Sequence, residues 1–119
     1  MSSRCMNDMG EIYMNEIIQK IRQFNEERDW EQYHSPENLA KSVAIEAGEL
    51  LECFQWSPDY NPEAVKEELA DVMMYCLMLA DKTGIDVMEA MNAKMEKNAA
   101  KYPVEKAKGS SKKYTELGE

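Results

Sequence analysis

The chain has 119 residues, enough for one domain with its own core and too few for two. Its 23 acids against 14 lysines and arginines leave a net charge of −9, which excludes the electrostatic footprint of a nucleic-acid backbone binder. No apolar run is long enough to span a bilayer, and the polar opening MSSRCMNDMGE has no signal-peptide core.

Cys5, Cys53 and Cys76 are odd in number and form no C-x-x-C pair, so reduced thiols and a cytoplasmic location are expected. Neither a nucleic-acid polymer nor a membrane is an expected partner.

In chain order, Tyr13, Ile17, Ile21 and Phe24 recur at helical spacing and predict a first helix over about residues 10–28. DWEQYH breaks the period as a loop. Ser35 is a candidate N-cap with Pro36 at the first helical position, opening a second helix to about Gln55. After the breaker SPDYNP, Asn61 caps a third helix that ends at Thr83-Gly84, where glycine suits the left-handed C′ position. Asp86 with Glu89 imitates a capping box for a fourth helix, which must stop before Pro103. The remainder, VEKAKGSSKKYTELGE, reads as polar and irregular.

This division predicts an all-α four-helix bundle. A flexible N-terminus covers residues 1–9, a helical domain 10–103 and a basic C-terminal extension 104–119. Half of the lysines and arginines lie from Lys94 onward; they form either a solvated tail or a reach toward an anionic ligand or a second subunit.

The third helix is apolar nearly all round. Val65, Leu69, Val72, Cys76 and Leu79 form one face, and Met73, Met74, Leu77, Met78 and Ala80 cover most of the rest. Such a helix is enclosed on several sides, more than a chain of this size provides alone, so completion by oligomerisation is expected.

On the second helix, Glu46 and Glu49 in AIEAGELLE border the stripe of Leu39, Val43, Ala47, Leu50 and Phe54. As i,i+3 neighbours their Cβ atoms lie about 5–6 Å apart. Glu68 and Asp71 in EELADV repeat the spacing on the third helix. A short connection makes the two helices antiparallel neighbours, so the pairs can face each other. Four gathered acids repel one another and resist desolvation; a hard divalent cation such as Mg²⁺, with Mn²⁺ as a substitute, relieves both effects. Ferritin-like di-iron chemistry needs Glu-x-x-His pairs, and the lone histidine, His34, is in a loop. Zinc lacks its Cys/His cluster, and no glycine-rich loop is present to cradle phosphate.

With these motifs in view, the sequence resembles a family. EAGELLE followed by EELADV is similar to the E-x-x-E…E-x-x-D signature of the MazG-like all-α nucleoside triphosphate pyrophosphohydrolases. The segments ERDWEQYHSPENLAKSVAIEAGELLECFQW and KYPVEKAKGSSKKYTEL resemble its dCTP pyrophosphatase-like branch, and the likeness runs from about Ile17 to Leu117.

The resemblance implies Mg²⁺-dependent cleavage between the α and β phosphates of dCTP or a modified nucleotide, giving monophosphate and pyrophosphate in a house-cleaning role. Glu46, Glu49, Glu68 and Asp71 match the metal-binding acids, with Glu46 or Glu49 as the base for the nucleophilic water. The likeness places a pyrimidine near Trp30, His34 and Trp56, with Tyr75 one turn beyond Asp71. Lys94, Asn98 and Tyr102 match a K-x-x-x-N-x-x-x-Y stretch for phosphate or sugar contacts. The family implies a homotetramer, as a dimer of dimers, or a dimer, with sites between subunits. The connection SPDYNPEAVK is shorter than in the longer animal members, which leaves base preference open. The alternatives are dUTP-directed or broad-specificity hydrolysis and, from another class, a non-catalytic helical interaction module whose acids are merely solvated.

Overall fold

The structure, a computed structural model, describes residues 3–111 and residue 115. Among the described residues every regular element is helical and there is no strand. The elements are α1 (Ser3–Glu27), a 3-10 turn (Glu31–Tyr33), α2 (Pro36–Glu52), α3 (Pro62–Thr83), α4 (Val87–Lys101) and α5 (Val104–Ala107).

Local chemistry sets these bounds. Ser35 Oγ accepts from the Asn38 N–H at 3.1 Å, ahead of Pro36. Asn61 Oδ1 accepts from the Glu63 and Ala64 N–H groups at 3.0 and 3.4 Å, ahead of Pro62. Each cap satisfies donors that the first helical turn leaves orphaned. Gly84, at φ 73°, closes α3: its N–H donates to the Asp81 carbonyl and that of Ile85 to Ala80, the paired bonds of a Schellman motif.

Three bounds depart from the sequence reading. α1 begins at Ser3 and not near residue 10. α2 ends at Glu52, and Cys53–Gln55 continue as tight i→i+3 turns. The segment after Pro103, expected to be irregular, carries the single turn α5. There the Pro103 carbonyl accepts from Lys106 and Ala107, and Gly109 at φ 78° follows the turn.

The chain divides into two compact units, the first ending at Ile85. In this unit α3 packs against α2 and α1. Leu39 shares a cavity wall with Met78 and Asp81, whereas Glu46 meets Glu68 and Asp71, so α2 and α3 run antiparallel. Leu39, Leu77, Ala80 and Asn25 are the buried residues among those described, and of these Leu39 is fully buried. α1 is tied to α3 by a bidentate ion pair between the Arg22 guanidinium and the Asp81 carboxylate, which holds Asp81 below its ordinary value. α3 is not enclosed by its own chain: Leu69 and Met73 stand about half exposed.

The second unit begins at Asp86, whose Oδ1 accepts from the Glu89 N–H at 3.0 Å to start α4. α4 closes at Lys101, and Tyr102 follows as its C-cap, donating its N–H to the Asn98 carbonyl.

Candidate active site

Two stretches of helix, each amphipathic by its spacing, bring the acids together. Glu46, Glu68 and Asp71 each offer one carboxylate oxygen, and the three oxygens lie within 4.8 Å of one another. Glu49 lies outside that set but close enough to raise both Glu46 and Glu68, and it is the more exposed member of its pair.

Burial pushes the Glu46 carboxyl above its ordinary 4.5, and the neighbouring Glu49, Asp71 and Glu68 add to the shift. Glu68 is raised for the same reason, burial first and Glu49 next. Glu46 Oε2 and Glu68 Oε2 are both sealed from solvent with no hydrogen-bond partner in the protein. A buried, unpaired carboxylate oxygen is costly, and two of them close to a third acid form a donor set that fits a hard divalent cation.

Beside the acids lies a cavity of about 380 Å³. Asp71 forms part of its wall, together with Trp30, His34 and Tyr75. Tyr75 belongs to both features: it lines the cavity, and its hydroxyl is pushed above 10.0 by burial and then by Glu46, Asp71 and Glu49.

The loop that delivers Trp30 and His34 is held by its own hydrogen bonds. Asp29 takes φ 54°, a left-handed conformation that aspartate tolerates better than most residues. Gln32 Nε2 donates to the Asp29 carbonyl at 2.9 Å, and the Trp30 N–H donates to the Asn25 carbonyl at 3.0 Å. Asn38 Nδ2 donates to the Tyr33 carbonyl at 3.0 Å, tying the loop to α2. The Trp30 ring meets Phe24 edge-on at 5.6 Å, and the Arg28 guanidinium lies over Phe24 at 3.7 Å.

Of the residues singled out from sequence, the structure gathers Glu46, Glu68 and Asp71, sets Glu49 beside them, and places Trp30, His34 and Tyr75 around one cavity. Trp56 stands apart, 89 % exposed in the α2–α3 connection and off that cavity wall. Lys94 and Asn98 lie on α4 and Tyr102 at its cap, all in the second unit.

Sequence reasoning missed Lys20, Asn25, Met74 and Met78 as cavity walls, and it read Phe24 only as part of a helical stripe. Stripe periodicity marks the face of a helix that is covered. It does not say whether that face meets a side chain or a hollow.

Known proteins resemble this chain along most of its length. The MazG-like family profile matches residues 41–117. The chain is 42% identical over 118 residues to dCTP pyrophosphatase 1 of Bos taurus, covering 91% of this chain and 70% of that protein. It is 43% identical over 114 residues to dCTP pyrophosphatase 1 of Homo sapiens, covering 87% and 67%. Among solved structures it is similar to a pyrophosphatase from Archaeoglobus fulgidus, with a TM-score of 0.70 and 44% identity over 76% of this chain and 93% of that one. The chain therefore belongs to the MazG-like family, in the branch of the dCTP pyrophosphatases.

Proposed function

We propose that this chain hydrolyses dCTP, or a modified or noncanonical nucleotide of that class, between its α and β phosphates with Mg²⁺ as cofactor and Mn²⁺ as a substitute. It is an enzyme, a nucleoside triphosphate pyrophosphohydrolase of house-cleaning type. The supporting observation is the juxtaposition of the three-oxygen cluster, two of its acids carrying unpaired buried oxygens, with an aromatic cavity that Asp71 also lines.

Glu46, Glu68 and Asp71 would hold the cation. When bound, it supplies the positive charge that admits a triphosphate to an acidic groove, polarises phosphorus and makes a coordinated water more acidic. Glu49 lies beside the cluster and outside its three-oxygen set, and its carboxylate is the one left to orient and deprotonate the attacking water. Trp30 offers the base a ring to stack on, His34 offers a ring nitrogen, and Lys20 on the cavity wall adds a cation for phosphate. The neutral Tyr75 hydroxyl lies between acids and base and can donate to substrate oxygen.

The family resemblance also proposes Trp56, whose ring is in solvent, and Lys94, Asn98 and Tyr102 of the second unit as substrate contacts. A homotetramer built as a dimer of dimers, or a dimer, would cover the half-exposed Leu69 and Met73 of α3 and the exposed Ile45 of α2. The described residues include no helix long and apolar enough to cross a membrane, and the acidic balance disfavours nucleic acid. A cytoplasmic location fits the half-buried free thiols found among the described side chains, Cys53 and Cys76.

The test is turnover of a nucleotide panel with Mg²⁺, reading pyrophosphate against free phosphate. Pyrophosphate with dCTP-class nucleotides supports the reading. Release of free phosphate alone, or no turnover with any nucleotide, overturns it.

A further inference from the structure

Asn25 is the one buried polar side chain among the described residues, only 5 % exposed. It lies near the end of α1, on a wall shared by the aromatic cavity and a smaller cavity of about 120 Å³. Its Nδ2 donates to Met78 Sδ at 3.6 Å, and among the described residues no donor meets its Oδ1.

A thioether is a weak acceptor, so this contact returns little of what an amide gives up on leaving water. Packing alone would be better served by leucine. The sulfur does, however, orient the amide. Turning it over would set the Oδ1 lone pairs against those of Sδ, so the present arrangement leaves Oδ1 as the atom of this wall residue that can accept.

The surroundings point to what that acceptor meets. Phe24 and Trp30 line the same cavity with aromatic rings, the kind of surface on which a flat heterocycle stacks, and Lys20, His34, Asp71 and Tyr75 are the other polar groups of its wall. Resting on the reading of this cavity as the base site, we propose that Asn25 is a specificity-determining residue that distinguishes pyrimidines by their exocyclic group. Oδ1 accepts from the exocyclic amine of a cytosine-type base. The exocyclic carbonyl of a uracil-type base would face it oxygen to oxygen, leaving both acceptors unpaired, and that mismatch is what rejects the wrong ligand.

The test is equilibrium binding of dCMP and dUMP to the full chain, without metal or turnover, beside kcat/KM for dCTP and dUTP. The wild type is expected to favour dCMP. Asn25→Leu should lower the dCMP-to-dUMP ratio about tenfold, chiefly by weakening dCMP. Met78→Leu keeps the amide but frees it to turn over, and should lower the ratio by a smaller factor with unchanged helicity. Equal binding of the two by the wild type, binding of neither, or an unaltered ratio in Asn25→Leu overturns the proposal. Should Asn25→Leu fail to fold, an unaltered ratio in Met78→Leu overturns it equally. Selective dCMP binding by a protein that hydrolyses no triphosphate would strike the enzymatic reading and leave this one standing.

Discussion

Glu46 on α2 and Glu68 on α3 each turn a carboxylate oxygen into the protein where no donor meets it, and Asp71 brings a third oxygen within 4.8 Å of theirs. Two helices thus bring three half-buried acids together, two of them with one oxygen sealed from water. Ionising all three costs free energy that a bound cation would offset.

The first prediction concerns pH and metal. Both carboxyls are raised above 4.5 in the folded state, so between 4.5 and those higher values the native protein keeps protons that the unfolded chain has released. Stability without cation therefore falls as pH rises through that window. Thermal melts in chelator should show the melting temperature declining as pH rises above 4.5, and Mg²⁺ should restore it, with a gain that shrinks toward acid. Glu46→Gln should flatten the decline and reduce the gain. Asp81 has the opposite sign: held below 3.8 by Arg22, it contributes stability above that value, lost as pH falls through its lowered value, so the two effects separate on the pH axis.

A second prediction separates cation holding from water activation. Asp71→Asn should lose both pyrophosphate release and the Mg²⁺-dependent rise in melting temperature. Glu49→Gln should keep most of that rise while kcat drops by about 10²–10⁴. Parallel melts and single-turnover assays check it; equal loss of the thermal shift in both variants would merge the two roles.

Third, Trp30→Ala should weaken dCTP, measured through kcat/KM, by ~1–3 kcal/mol as a stacking surface is lost. Part of any change in melting temperature belongs to its edge contact with Phe24, so the binding loss must be read on folded protein.

Fourth, Leu39 is 1 % exposed at the start of α2, and truncation to alanine removes its transfer energy and leaves a cavity. Denaturant unfolding should report a loss of about 2–5 kcal/mol. With so few of the described side chains buried in one chain, that loss should also lower the apparent stability of the proposed oligomer in light scattering at micromolar concentration.

Much of the architecture was legible in the residues because its signals are local. Ser35-Pro36, Asn61-Pro62, Gly84 and Asp86 each act within a turn of where they stand, and each cap forms as the spacing predicts. The single turn α5 was not legible, since Pro103 at its N-cap has no side chain able to cap it. The acids were legible as pairs because i,i+3 spacing fixes a shared face whatever the helix packs against.

What the residues determined unaided is therefore the helices, the two carboxylate pairs and the family likeness, all of which follow from near neighbours along the chain. Only the tertiary structure decided that Glu49 stands outside the three-oxygen set, that Trp56 lies off the cavity while Phe24 lines it, and that Asn25 is buried against a sulfur. Those outcomes depend on how α1 and α2 seat against α3, and a hollow between helices belongs to no single helix's periodicity.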